Sequence, residues 1–175
     1  MSRVAFTGYR PEKLPFIESS DDEEYLRFRR TLRNVIRRLC ECGYTEFVSG
    51  MALGFDTWVA EDVLSLKADF PAIKLLCAIP FPEQAAKWSR ADRLRRERII
   101  ESADGVTVVS AEYSKGCFFA RNRYMVDTSD VVVCCYDGKR GGTSYTVEYA
   151  ARRERAVVQI NPVDGIVSIV GNKKP

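Results

Sequence analysis

Glu46-Phe47-Val48-Ser49-Gly50-Met51-Ala52-Leu53-Gly54-Phe55-Asp56 decides how the chain is read. Glu46–Ser49 reads as a short strand, Gly50 and Gly54 bracket a turn, and the apolar residues Trp58, Val59, Val63 and Leu64 mark the helix that the turn feeds. A strand that enters a helix through a glycine-bearing turn is one step of an alternating strand–helix chain. Such a chain folds as a parallel sheet with crossover helices.

Working outward, the alternation persists in both directions. Val4–Thr7 is an earlier strand, followed by a loop through Pro11 and Pro15. Ser20 and Glu23 form a capping-box signature for a long helix in which Tyr25, Phe28, Leu32, Val35, Ile36 and Leu39 recur at steps of mostly three and four. Arg27, Arg30, Arg33, Arg37 and Arg38 fall mostly between them, and Gly43 ends the helix. Beyond the deciding stretch come strand Ile73–Ile79, a helix from about Glu83 to Ser102 interrupted near Ser89, and strand Gly105–Ser110. Helix Ala120–Thr128, strand Val131–Tyr136, helix Thr143–Arg153, strand Val157–Ile160 and an edge segment Ile166–Val170 complete the series. The expectation is an α/β fold: a single Rossmann-like domain over residues 1–175, with a mainly parallel sheet and helices on both faces.

Composition narrows the chemistry. Apolar residues make up 46% and charged residues 29% of the 175 residues, ordinary values for a globular chain. No apolar run approaches the roughly 20 residues of a membrane span, and no secretory signal opens the sequence. No membrane partner is therefore expected, and a cytoplasmic location is. The six cysteines contain no C-x-x-C pair and histidine is absent, so neither a metal site nor a cofactor is implied. Acid–base chemistry would rest on carboxylates, with Tyr or Lys in support. A net charge of +3 is too small to argue for nucleic acid, although arginines crowd positions 90–98 and 152–155. Such runs are usually solvated helix faces.

In an open parallel sheet, ligands bind beyond the carboxyl ends of the strands, where loops meet the positive N-termini of helices. Three segments fall there. In Thr7-Gly8-Tyr9-Arg10-Pro11, Gly8 lets backbone approach a ligand and Arg10 can pair with an anion; a tight turn with a surface arginine is the plain alternative. In Ser49–Asp56, Gly50 and Gly54 free amides to face a phosphate, and Asp56 accepts from a ribose hydroxyl or simply caps its helix. In Gly141-Gly142-Thr143-Ser144, paired glycines and hydroxyls at a helix start offer donors to phosphate or sugar oxygens. Glu148 lies in the following turns, either solvated or close enough to act as a base or ribose clamp. Arg121, Asn122 and Arg123 precede the fifth strand and suit phosphate recognition, though Arg123 equally fits a surface role. Trp58 and Trp88 are of a type that stacks on a base, but both sit at helical positions where packing is the commoner job.

Taken as an ensemble, T-G-Y-R-P at 7–11, S-G-M-A-L-G-F-D at 49–56, Pro80-Phe81 with Glu83, Gln84 and Trp88, R-N-R at 121–123 and S-D-V-V-V-C-C-Y-D-G at 129–138 resemble the YpsA-like family. That family stands within the SLOG superfamily, beside DprA and the LOG phosphoribohydrolases. The resemblance covers nearly the whole chain. It implies a Rossmann-like sheet that binds or senses a nucleotide-derived small molecule, of ADP-ribose or nucleoside phosphate type. The site residues so implied are Gly8, Arg10, Gly50, Gly54, Asp56, Arg121, Gly141, Gly142, Thr143 and Glu148. LOG-like hydrolysis of a nucleoside monophosphate would use Arg121 and Glu148, which fall where the arginine and the P-G-G-x-G-T-x-x-E glutamate stand. Arg140, Ser144 and Tyr145 depart from that motif. DprA-like binding of single-stranded DNA is a further alternative, without the aromatic run that favours it. The apolar helix faces leave a homodimer open.

Overall fold

A computed structural model describes residues 2–170. Among these residues seven strands and five helices follow one another, alternating as far as β6. They are β1 (Arg3–Gly8), α1 (Glu23–Glu41), β2 (Glu46–Ser49), α2 (Phe55–Leu66), β3 (Lys74–Ile79), α3 (Arg90–Ser102) and β4 (Gly105–Val108), then α4 (Cys117–Asp127), β5 (Val131–Cys135), α5 (Gly142–Arg152), β6 (Ala156–Ile160) and β7 (Val167–Val170). A short 3-10 turn at Pro11–Lys13 follows β1. The sheet order is β4-β3-β2-β1-β5-β6-β7. The first six strands pair in parallel, and β7 returns antiparallel along β6. The α/β, Rossmann-like class and the mainly parallel sheet stand as expected. Among the described residues no helix is long and apolar enough to cross a membrane.

Strand residues alternate between two apolar layers, as the two-residue repeat of a strand requires. Val4, Phe6, Phe47, Val131, Val133 and Cys135 face the layer beneath α1, α2 and α3, whereas Ala5, Val48, Val132 and Cys134 face α4 and α5. Both faces are therefore covered, which is why β1 and β5 read as near-continuous apolar runs. The α1 stripe of Tyr25, Phe28, Leu32, Ile36 and Cys40 is buried. Trp58 completes an aromatic cluster there, with Tyr25 at 5.2 Å and Phe28 and Phe16 within 6.2 Å. Five of the six cysteines are buried and all six are free thiols. Burial pushes the Cys77 and Cys134 thiols up to about 12, which leaves them protonated and unreactive near neutrality.

Several boundaries differ from the sequence reading for local reasons. Asp22, not Ser20, caps α1, because its carboxylate accepts from the amides of Glu24 (3.0 Å) and Tyr25 (2.9 Å). The long helix expected from Glu83 is a helix only from Arg90. Ser89 is its N-cap and accepts from the Asp92 amide, and the segment before it runs as turns. α4 begins at Cys117, three residues earlier than expected.

At Gly8 the chain is crowded. A Cβ there would lie 2.3 Å from the ring of Phe55, which is fully buried in α2. This glycine lets α2 close onto the end of β1. Replacing Gly8 with Ala should destabilise the fold by about 1–3 kcal/mol. Urea denaturation checks it, and the penalty should shrink in a Phe55→Ala background, where the obstructing ring is gone.

Candidate functional site

The strand order reverses at β1: β2, β3 and β4 extend from one side of it, and β5, β6 and β7 from the other. A crevice opens at such a reversal because the loops after neighbouring strands leave toward opposite faces. Here it is a cavity of about 370 Å³ over the carboxyl ends of the central strands, in the size range of small-ligand sites. The loop after β1 supplies Tyr9, Arg10, Glu12 and Lys13, and the turn into α2 supplies Ala52 and Asp56. Lys115, Phe118, Phe119, Arg121 and Asn122 come from α4 and its approach, and Gly142 and Thr143 from the start of α5.

The floor is built around Gly50. A Cβ on this residue would fall 2.0 Å from Nη1 of Arg121 and 2.8 Å from Oδ2 of Asp56. The glycine thus makes room for a guanidinium. Arg121, 5% exposed, donates from Nη1 to the carbonyls of Gly50 and Ala78, and from Nε to Oδ1 of Asn122 at 2.8 Å. Asn122 in turn donates to the Thr146 hydroxyl at 2.9 Å. Asp56, also 5% exposed, accepts from the Ala52 amide at 3.2 Å. Burial raises the Asp56 pKa and lowers that of Arg121, and each charge counters the other's shift. No direct ion pair closes between them, and both groups line the cavity floor.

The turn itself is largely satisfied from within. Met51, at φ 55°, gives its amide to the Ser49 hydroxyl at 3.1 Å, and that hydroxyl donates to the Asp56 carbonyl at 2.8 Å. Gln84 reaches across from the loop after β3 and donates to the carbonyls of Gly50 (3.3 Å) and Met51 (3.2 Å). The amides of Met51 and Ala52 are therefore engaged by protein, whereas those of Gly50, Leu53 and Gly54 have no acceptor among the described residues. Gly54, at φ 83°, brings the turn against Pro11, whose Cδ would lie 2.9 Å from an added Cβ. It joins the first and second segments without lining the cavity.

At α5 the amides stand open. Ser144 closes the helix start by accepting from the Gly141 amide at 2.8 Å and donating to its carbonyl at 2.7 Å. The amides of Gly142, Thr143 and Ser144 have no acceptor among the described residues, as in a helix N-terminus that receives an anion. Lys13 leans over this end: its Nζ is 3.0 Å from where a Gly141 Cβ would sit. Arg10 lies over the Phe118 ring at 5.4 Å. Among the described residues Arg10, Lys13 and Lys115 pair with no carboxylate. With Arg121 they outnumber Asp56 and Glu12, so the cavity carries a net positive charge.

One wall is held by a short polar lock. Tyr9 donates its hydroxyl to Asp137, which also accepts from the Lys139 amide (3.1 Å) and pairs with its ammonium (2.9 Å). Burial, reinforced by this bond, pushes the Tyr9 phenol up to about 12. The same bond holds the Asp137 carboxyl down at about 2, with Lys139 assisting.

Most of the residues chosen from sequence meet at this rim. Gly8, Arg10, Asp56, Arg121, Gly142 and Thr143 line the cavity, and Gly50 and Gly141 stand directly behind it. Glu148 does not join them. Its side chain is 67% exposed on α5, with Arg152 as a loose partner at 3.9 Å. Arg123 lies on the outer surface, bonded to the Tyr145 hydroxyl. Neither Trp58 nor Trp88 lines the cavity. The sequence reading passed over Lys13, Lys115, Phe118 and Phe119. With α4 taken to start at Ala120, both rings fell outside any helix, whereas the real first turn aims them at the crevice.

A family model described as the YspA SLOG family matches residues 4–164. A UPF0398 protein of Halalkalibacterium halodurans is 32% identical over 158 residues, covering 89% of this chain and 83% of the relative. One from Listeria monocytogenes is 30% identical over 145 residues, covering 82% and 79%. Among solved structures, DNA processing protein A from Helicobacter pylori, described for its single-stranded DNA binding mode, aligns with a TM-score of 0.58 at 21% identity. The alignment covers 90% of this chain but 64% of that one, and the likeness is one of fold.

Two outcomes test the site geometry. Gly50→Ala should destabilise the wild type yet be tolerated in an Arg121→Ala background, giving a coupling of about 1 kcal/mol or more in a double-mutant cycle read by urea denaturation. Asp137 has a folded pKa below its ordinary 3.8, so its stabilisation is complete above pH of about 4 and is lost as pH falls toward 2. Asp137→Asn should therefore be less stable than wild type at pH 7, and the gap should close over that interval.

Proposed function

Because the chain belongs to the YspA SLOG family, we propose that the cavity binds or senses a nucleotide-derived small molecule, of nucleoside phosphate or ADP-ribose type, in the cytoplasm. The observation that carries this reading is the convergence of unpaired cations with the open amides of α5 in a crevice that also holds a buried carboxylate. The α5 amides and Lys13 suit a phosphate, since both supply donors where the helix dipole favours negative charge. Asp56 suits sugar hydroxyls, because a buried carboxylate with spare lone pairs gains from accepting them. Phe118, with Arg10 against its face, suits a planar base.

A LOG-like phosphoribohydrolase is the weaker reading. It calls on Glu148, whose solvated side chain stands away from the cavity lining and so away from any glycosidic bond held there. Contact with single-stranded DNA, the property in the description of the Helicobacter pylori protein, is a second reading. The exposed Lys13 and Lys115 at the cavity mouth favour it, since phosphate contacts from such lysines carry strand binding.

The test is ligand-dependent stability. ADP-ribose and AMP should each raise the melting temperature saturably, by the equivalent of about 2.7 kcal/mol at a hundredfold excess over Kd. The double variant Arg10→Ala/Lys13→Ala should bind at least about tenfold more weakly. Glu148→Gln should bind as the wild type does, and neither protein should release free base from AMP. No saturable shift with either compound would remove the nucleotide reading, and base release that is lost in Glu148→Gln would restore the hydrolase.

A further inference from the structure

The aromatic lining of the cavity is divided. Phe118 and Phe119 are consecutive on the first turn of α4 and both line the cavity, yet consecutive helical residues diverge by about 100°, and the two rings keep different company. Phe118 packs edge-on against Phe81 at 5.7 Å and carries the Arg10 guanidinium on its face at 5.4 Å. Phe119 turns toward α5, where its ring meets Tyr145 at 4.7 Å, and it remains 41% exposed. Tyr145 is itself fixed by Arg123 and stacks near-parallel with Tyr149 at 6.5 Å. Two cations occupy the rim with them, Lys115 just before the same helix and Lys13 beside Gly141, together with the neutral donor amides of Gly142 and Thr143.

Two aromatic stations around a cationic cavity are more than a mononucleotide requires. One base uses one stacking partner, and a phosphate at the α5 terminus would leave the other ring bare to water. An exposed phenylalanine held at a cavity mouth by a buttressed tyrosine is a surface that gains from being covered by a flat group. The cavity volume of about 370 Å³ suits one nucleotide, with the second ring system lying at the mouth. We propose that the ligand is a dinucleotide, two nucleosides joined through phosphate, with one base against Phe118, the phosphate bridge on the cations and α5 amides, and the second base on Phe119. This rests on the nucleotide reading and adds the second station to it.

The linkage has two chemical sources, a pyrophosphate bridge as in NAD and a 3′–5′ phosphodiester as in the dinucleotide ApA, so both serve as probes beside AMP. Isothermal titration of wild type, Phe118→Ala and Phe119→Ala with each compound distinguishes the outcomes. At least one dinucleotide should bind the wild type at least about tenfold more tightly than AMP. Phe119→Ala should lose about tenfold or more for that dinucleotide and little for AMP, whereas Phe118→Ala should lose affinity for both. The tighter of NAD and ApA identifies the bridge. Phe119→Leu, which keeps bulk but no ring, serves as the second variant. Its melting temperature should match wild type while its dinucleotide affinity falls. If AMP binds and neither dinucleotide binds more tightly, or if Phe119→Ala and Phe119→Leu leave dinucleotide affinity unchanged, the second station is wrong and the nucleotide reading stands. If no compound binds, both readings fall.

Discussion

A guanidinium buried in the place of a missing side chain organises the carboxyl end of the sheet. Arg121 enters from α4, fills the space above Gly50 and bonds to the main chain beyond β2 and at β3, so one residue ties a helix of one layer to loops that serve the other. An arginine so deeply placed is tolerable only when its donors are met and an opposite charge is near. The carbonyls of Gly50 and Ala78, the Asn122 amide oxygen and the neighbouring Asp56 meet those conditions. Gln84 also donates to the Gly50 carbonyl, and to that of Met51 beside it. The floor of the crevice is thereby polar and charged but rigid.

That rigidity decides what the remaining groups are for. With the amides of Met51 and Ala52 engaged internally, the middle of the turn after β2 acts as a frame, and the open donors that line the crevice lie at the start of α5. The cations around the rim are free of carboxylates, which gives them long-range attraction for an anion and leaves them hydrated until one arrives. Order below and readiness above are complementary. An anion entering this crevice would meet preset charges and require little rearrangement, the condition under which binding loses least to ordering.

The fold was legible because its signals are local and repeated. Strand limits at β2, β5 and β6 came within a residue, since apolar runs buried on both faces stand out against polar helix surfaces. Helix starts were less legible. Asp22 takes the cap that the sequence assigns to Ser20, and α4 starts at Cys117 behind Gly116, which has no side chain to mark a cap. The site was readable as segments, because glycines after strands mark places where backbone must pass close to something. What they pass close to was not readable. Gly8 answers to Phe55 and Gly50 to Arg121, partners 47 and 71 residues away. Glu148 was placed by its spacing to a motif whose loop is altered here, and spacing along a helix does not say which side of it faces the crevice.

The position of β1 has a consequence for how the chain acquires its shape. This strand lies at the centre of the sheet, yet its second neighbour, β5, pairs Val4 with Val131 and Gly8 with Cys135. During synthesis from the amino end, Val4–Gly8 keeps one flank of backbone donors and acceptors uncovered until Val131–Cys135 has emerged. Contacts of such long separation form slowly, because loop closure must be met before they reward it. The nascent protein therefore carries an apolar, half-zipped edge until β5 arrives, and the crevice comes into being only when that edge is sealed.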